Sequence, residues 1–328
     1  MSFALYRRPG GVVFLDDDAA YLEMLADVLP PDWYVRLFLR PVECIAQLLE
    51  EPPRREADAW RQQEIVNRWR DGVALIPQIL QYWREDKAAR FALTRVCVVD
   101  YSMPAMSGLR VLSELTDWSG ARILLTGRVD EQLAVSAFNR GLIEQFIPKQ
   151  TPEIRLHLSQ AIQSQLDLAD ERLQQTWRAT LTREQHALLC EPAIAQALDQ
   201  LSISQGWIEH VVLGWPFGVL ALDRQGGASW LQLTLAEQLP ALAAMAAALG
   251  WDAATVQDIR NGKRLLDLEL QQALGEPHQA QARQAFAMAG PGATLYAALF
   301  TIAEPFGPGY ALSYERFIAT FGNRQLPD

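Results

Sequence analysis

The sequence predicts an α/β fold built on a parallel sheet, followed by a second, α+β half. Three observations predict it. Short apolar, β-branched runs at residues 12–15, 96–99, 124–125 and 146–147 are separated by helix-like segments. Such runs read as strands buried on both faces, and their alternation with helices argues for parallel pairing. Each run ends in a polar residue: Asp16, Asp17 and Asp18 after the first, Asp100 after the second, Thr126 after the third and Lys149 after the fourth. A length of 328 residues, half of them apolar, suffices for about two domains with their own cores.

In a parallel sheet the carboxyl ends of the strands lie side by side and form the site crevice. That geometry gathers Asp16, Asp17, Asp100, Thr126 and Lys149 from separate strand ends. Crowded carboxylates repel one another and invite a hard divalent cation with oxygen ligands, Mg²⁺ above all. A carboxylate beside such an ion can act as a nucleophile and form an aspartyl phosphate. A metal and an ammonium neutralise the incoming phosphoryl oxygens, and Thr126 and Lys149 are placed to hydrogen-bond them. Any one of these residues alone has a plainer reading, because an Asp at a strand end is most often a turn or helix-cap residue. The order of all of them, each after an apolar run, favours the site.

The set resembles the receiver domain of two-component response regulators over roughly residues 10–150. The residues that carry the resemblance are Phe14-Leu15-Asp16-Asp17-Asp18, the loop Asp100-Tyr101-Ser102-Met103-Pro104-Ala105-Met106-Ser107-Gly108, Leu125-Thr126-Gly127 and Phe146-Ile147-Pro148-Lys149. It implies a doubly wound, five-stranded parallel sheet of flavodoxin-like type. Asp100 is then the phospho-acceptor. Asp16, Asp17 and Asp100 hold Mg²⁺ together with the backbone carbonyl of Ser102. Thr126 is the switch hydroxyl, Phe146 the switch aromatic, and Lys149 completes the catalytic set. A sensor histidine kinase is the implied partner.

Two departures stand out. The family usually has Pro directly after the Lys, often in a cis bond, whereas here Pro148 precedes Lys149 and Gln150 follows. The stretch from Asp17 to Asp100 is also longer than the family pattern, and the excess maps to about residues 50–90. There Pro52-Pro53 breaks the chain and two helix-like stretches follow, 57–70 and 73–90. Ile65, Val66 and Trp69 share a face, as do Val73, Ile76, Ile79, Leu80 and Trp83. These stripes need a cover. Either they form a helical hairpin packed on the receiver, or they meet a kinase, a second copy or another protein. Trp60, Trp69 and Trp83 favour contact, since Trp is enriched at interface centres.

Residues 152–189 read as a long helical connector, with Pro152 at a first-turn position. Ile162, Leu166, Ala169 and Leu173, followed by Thr176 and Trp177, space a short coiled-coil seam. The connector is expected to make a homodimer, with the 57–90 insert as a second contact; the alternative is a helix lying on its own second domain. Leu181-Thr182-Arg183-Glu184-Gln185 echoes the opening of a helix-turn-helix output. The echo fails at 205–213, where a recognition helix would need Lys or Arg and Glu209 stands instead.

Residues 205–328 read as a separate α+β domain that folds alone. Residues 216–227 give a strand and tight turn, 231–249 a buried Ala-rich helix, and 293–303 and 309–317 two late strands joined at 304–308. This order resembles a PAS domain. His210 and His278 read as packing or surface residues. The expected division is thus 1–150 receiver with its insert, 151–204 connector and 205–328 output.

A net charge of −10 argues against a nucleic-acid surface over the whole chain. No apolar run approaches the roughly 20 residues of a membrane span, the first eleven residues lack a signal-peptide core, and Cys44, Cys97 and Cys190 are too few and scattered for a disulfide or zinc framework. A cytoplasmic protein is expected. The combined reading is a phosphorylation-controlled response regulator that signals through protein interaction or dimerisation and is not itself an enzyme. The rival readings are a receiver-regulated enzyme with an unrecognised C-terminal catalytic domain and a DNA-binding regulator with a divergent helix-turn-helix.

Overall fold

The computed structural model describes residues 2–85, 88–104, 106–127, 131–290, 294–304 and 306–322. Ala105 of the acceptor loop, and Ala293 and Pro305 beside the late strand, lie outside the described residues. The chain forms two compact units and passes between them repeatedly. One takes residues 9–59, 88–168 and the segment from 315; the other takes the N-terminus to residue 8, residues 60–87 and 169–314. These units do not follow the three consecutive segments expected from sequence.

The first unit is built on the expected five-stranded parallel sheet, in the spatial order Val35–Phe38, Gly11–Leu15, Thr94–Asp100, Ala121–Thr126, Gln145–Pro148. Alternating side chains fill two cores, as the period of a strand dictates. Val12, Phe14, Val96, Val98, Ile123 and Leu125 pack against Leu22 and Leu25 of helix Ala19–Val28 and Leu158 and Ile162 of helix Ile154–Asp167. On the other face Val13, Leu15, Cys97, Val99 and Leu124 meet Cys44, Ile45 and Leu48 of helix Pro41–Leu49 and Val111 and Leu112 of helix Gly108–Glu114. Each such buried side chain contributes roughly 1.5–3 kcal/mol of transfer free energy. The chain reverses its direction of travel across the sheet between Gly11–Leu15 and Thr94–Asp100, so the crevice forms at the carboxyl ends of those two strands.

Glu51, the first residue of helix Glu51–Arg70, anchors the insert to this unit. Its buried carboxylate accepts from the Thr94 backbone N–H (2.9 Å), the Thr94 hydroxyl (2.6 Å), Arg36 Nη2 (2.6 Å) and the Trp118 indole N–H (3.3 Å). Pro52 and Pro53 fall in the first turn of this helix, where a missing N–H costs nothing, so they start it rather than break the chain. From Trp60 on the insert belongs to the second unit, and helix Leu75–Glu85 packs against helix Leu268–Leu274 there. Ile65, Val66, Ile76, Ile79, Leu80 and Trp83 are buried, Trp69 is half-buried, and Val73 and Trp60 are exposed. Most of the apolar stripe is therefore covered within the chain.

The connector is not one helix. It breaks into Ile154–Asp167, Glu171–Arg178, Arg183–Cys190 and Pro192–Ser204. Asp170 caps the second piece by accepting from the Leu173 N–H (3.3 Å). Thr182 and Gln185 form a reciprocal capping box that starts the third (Gln185 N–H to Thr182 Oγ1 3.1 Å, Thr182 N–H to Gln185 Oε1 2.9 Å). Much of the expected dimer seam is covered inside the chain, with Ala169 left exposed. Ile162 and Leu166 join the receiver core, while Leu173 and Trp177 are buried in the second unit.

The second unit holds a six-stranded antiparallel sheet in the order Tyr6–Arg7, Trp207–Gly214, Phe217–Asp223, Ala228–Leu235, Thr294–Thr301, Phe286–Ala289. The N-terminus supplies an edge strand, with Tyr6 opposite Val211 and Arg7 opposite His210. Gln174 brackets it: its side-chain carbonyl accepts from the Leu5 N–H (2.6 Å) and its amide donates to the Tyr6 carbonyl (2.7 Å). Gln62 links the Trp177 indole (2.8 Å) to the Tyr6 hydroxyl (3.2 Å), which lies 3.4 Å from the buried Glu209 carboxylate. Residues 205–328 therefore do not make this unit by themselves.

Residues 205–213 contain no recognition helix. Gly206 in the left-handed region (φ 63°) follows the end of Pro192–Ser204, and the chain enters the strand Trp207–Gly214. The run 231–249 is part strand, to Leu235, and part helix, Leu239–Ala248. The late strand is Thr294–Thr301, but 309–317 is a short helical turn leading into helix Tyr314–Phe321. Tyr314, Phe317, Ile318 and Phe321 recur at helical spacing, which overrides their strand propensity. Phe317 is buried in the first unit against Tyr34 (ring centroids 4.8 Å) and Phe91 (5.7 Å). Among the described residues of 205–328, the order of strands and helices thus differs from the expected PAS-like one, with a helix in place of the second late strand.

Candidate functional site

The carboxyl ends of strands Gly11–Leu15, Thr94–Asp100, Ala121–Thr126 and Gln145–Pro148 present the expected residues. Asp16 follows the first strand and is buried. Its Oδ1 accepts from the Asp18 N–H (3.0 Å), and its Oδ2 lies 2.5 Å from Lys149 Nζ. Asp18 turns the other way and caps helix Ala19–Val28 by accepting from the Tyr21 N–H (3.1 Å). Asp100, also buried, accepts from the Ser102 N–H on Oδ2 (2.8 Å) and meets Lys149 Nζ on Oδ1 (2.8 Å). Asp17 is exposed, and carboxylate oxygens of Asp16, Asp17 and Asp100 lie within 4.8 Å of one another.

Electrostatics follow from this packing. Burial pushes the Asp16 carboxyl up, and the bonds from Lys149 and the Asp18 N–H recover only part of the shift. Burial alone would lower Lys149, but its bonds to Asp100 and Asp16 outweigh that and raise it. One fixed ammonium thus bridges two buried carboxylates, and a third carboxylate stays open to solvent.

Other loop residues shape the site. Gly108 closes the acceptor loop by donating to the Tyr101 carbonyl (3.0 Å), and a Cβ there would sit 2.2 Å from the Asp100 carbonyl oxygen, so only glycine fits. Ser102 has an exposed side chain, and its position beside Asp100 leaves the backbone as its contribution. Thr126 is fully buried; it lies one residue past Leu125, which pairs with Asp100, and its carbonyl accepts from the Lys149 N–H (2.7 Å). Phe146 is half-buried, pairs with Leu124 and packs on the core beneath. The missing Pro after Lys149 does not displace the lysine. The one cis peptide among the described residues is Trp215–Pro216, and Lys149 still reaches both carboxylates.

The donor set fits Mg²⁺. It offers clustered carboxylate oxygens from three aspartates, one already solvent-facing, with no nitrogen or sulfur ligand within the group. Sequence reasoning missed Tyr21. Its ring face lies 4.4 Å from Lys149 Nζ, and its hydroxyl is buried without a hydrogen-bond partner. The signal available was its position in the first turn of the helix after the acidic cluster.

No protein-family model matches the sequence, and no curated protein does. Among solved structures the chain is similar to the response regulator LqsR of Legionella pneumophila, at 22% identity and a TM-score of 0.69, with 97% of each chain covered. A CheY-like response regulator receiver domain protein from Methanospirillum hungatei covers 49% of this chain and 94% of its own at 16% identity and a TM-score of 0.32. A receiver domain protein from Clostridium thermocellum covers 48% and 94% at 18% and 0.33. Over nearly its whole length this chain has the fold of LqsR, with a flavodoxin-like parallel receiver sheet and a separate antiparallel-sheet unit.

Proposed function

We propose that the protein is a phosphorylation-controlled response regulator that accepts a phosphoryl group on Asp100 from a sensor histidine kinase. The observation that carries this reading is Lys149 Nζ held 2.5 Å from Asp16 and 2.8 Å from Asp100, with Asp17 completing an oxygen cluster beside them. In the transfer an Asp100 carboxylate oxygen bonds to phosphorus while the phosphorus–nitrogen bond of a phosphohistidine breaks, and the electron pair leaves with the imidazole. Asp16, Asp17, Asp100 and the Ser102 carbonyl would hold Mg²⁺, which supplies positive charge to the phosphoryl oxygens. Lys149 holds its ammonium beside the acceptor oxygen, so the negative oxygens of the arriving phosphoryl group meet a fixed cation there. Thr126 then contacts the phosphoryl group, and Phe146 repacks against the core as it moves.

The output side of the proposal is signalling through protein contact rather than DNA binding or catalysis. Two features support it. The segment that would read DNA is a strand inside a sheet, Trp207–Gly214. Val135 and Phe138, on the helix that follows Thr126, are 58% and 61% exposed, an apolar surface next to the proposed switch.

The test is phosphoryl uptake. With Mg²⁺ and acetyl phosphate the intact protein should gain one phosphoryl mass, and Asp100→Asn should gain none, because the amide is not a nucleophile. Equal uptake by the variant would refute the assignment.

A further inference from the structure

We infer that Tyr21 is the positioning residue for Lys149 and sets how well the site takes a phosphoryl group; this rests on the phospho-acceptor reading above. A lysine ammonium has three N–H donors on a long, flexible stem. In this site two of its directions end on Asp16 Oδ2 (2.5 Å) and Asp100 Oδ1 (2.8 Å), and the Tyr21 ring face lies 4.4 Å away as a third partner. Three contacts fix a point charge in space, whereas two carboxylates alone leave it free to swing about the line that joins them. The ring is held from below. Tyr21 sits in the first turn of helix Ala19–Val28, where Asp18 caps its backbone N–H (3.1 Å) and its body packs on the core formed by Phe14, Leu22 and Leu25.

The tyrosine hydroxyl is not what holds the ring. It is buried with no hydrogen-bond partner, an arrangement that costs stability rather than adding to it. The face of the ring therefore carries the role, and phenylalanine should replace tyrosine while an aliphatic side chain of similar bulk should not. A cation over a partly buried aromatic face gains roughly 1 kcal/mol, about fivefold in an equilibrium constant. Lys149 is one of two charges that face the phosphoryl oxygens, so its freedom is felt in phosphoryl affinity, which is read at saturating Mg²⁺ because the same ammonium also touches the metal-binding Asp16 and Asp100.

The experiment uses the full-length protein and the variants Tyr21→Phe and Tyr21→Leu, with beryllofluoride as the phosphoryl mimic. Tyr21→Leu should bind beryllofluoride about fivefold more weakly in saturating Mg²⁺, and Tyr21→Phe should match wild type. The far-UV circular dichroism and the urea-unfolding midpoint should stay close to wild type in both variants, which a general loss of structure would not allow. In ¹⁵N-lysine-labelled protein the Lys149 ammonium should show a ring-current upfield shift in wild type and Tyr21→Phe that disappears in Tyr21→Leu. An unchanged beryllofluoride affinity or an unchanged Lys149 shift in Tyr21→Leu would overturn the inference, as would an equal loss in Tyr21→Phe. If wild type itself takes no beryllofluoride, the phospho-acceptor reading fails, and the Lys149 shift, read without any ligand, still decides whether the ring holds the lysine.

Discussion

Acidification should loosen the second unit through one histidine. His210 is fully buried on the strand Trp207–Gly214, opposite Arg7 of the N-terminal strand. Its Nε2 lies 2.8 Å from the Ala4 carbonyl oxygen, which requires the proton on Nε2, and its Nδ1 is buried without a partner. The ring stacks on Phe3 at 4.7 Å and 11°. Burial lowers the imidazole from 6.5 to about 4, partly opposed by the Ala4 bond, with the Arg7 charge adding to the fall. The folded value lies below the unfolded one, so the unfolded chain binds the extra proton between them. His210 therefore costs nothing above about pH 6.5 and removes stability progressively as pH falls toward 4. At about 1.4 kcal/mol per pH unit the loss is on the order of 3 kcal/mol. Asp267 and Glu269 in the same unit are raised by burial and act in the opposite sense, so the difference between wild type and a variant is the quantity to read. Urea unfolding at pH 7.5, 6, 5 and 4.5, followed by tryptophan fluorescence, should show wild type losing stability faster on acidification than His210→Gln, which cannot titrate. Parallel pH curves for the two proteins would refute the reasoning.

Three further outcomes follow from the same structure. Asp17→Asn should weaken Mg²⁺ binding at least tenfold by removing one of three clustered charges, whereas Asp18→Asn should leave it near wild type, because Asp18 is occupied capping the Tyr21 N–H; calorimetric titration reads both. Glu51→Ala should destabilise the receiver unit by about 3 kcal/mol, since it strands Arg36, Thr94 and the Trp118 indole around an emptied buried site; the midpoint of chemical denaturation measures it, and a loss below about 1 kcal/mol would show that the cluster relaxes. A fragment of residues 205–328 should lack cooperative unfolding, because the edge strand Tyr6–Arg7, the helix Leu75–Glu85 and the bracket from Gln174 all lie outside it; a sigmoidal thermal melt of the fragment would contradict the packing described here.

The receiver half was legible because its signals are local. An apolar strand must end somewhere, and in a parallel sheet every strand ends at the same edge, so Asp16, Asp100, Thr126 and Lys149 meet there once the strand order holds. The capping box Thr182–Gln185 is equally local, but its Thr-x-x-Gln spacing serves any helix start, so it echoes a helix-turn-helix opening without identifying one. The proline pair at 52–53 misled for a related reason: proline marks a break inside a helix and a beginning in its first turn, and Glu51 decides between the two. Its place in the first turn after the acidic cluster does not by itself single out Tyr21, since a ring there looks like ordinary packing until a lysine from a distant strand end arrives over it.

The sequence by itself determined the parallel sheet, the residues at its carboxyl edge and the oxygen chemistry of their cluster, because these depend on short-range periodicity and on residue type. Only the tertiary structure decided which unit each segment joins. The edge strand at Tyr6–Arg7, the helix Leu75–Glu85 and the aromatic contact of Phe317 with Tyr34 and Phe91 are pairings across long separations in the chain. An apolar stripe states that it must be covered, but the hydrophobic effect is non-directional and names no partner. The stripes at 65–83 and 162–177 meet most of that demand inside the chain, through Ile65, Val66, Ile76, Ile79, Leu80 and Trp83 in the first and Ile162, Leu173 and Trp177 in the second.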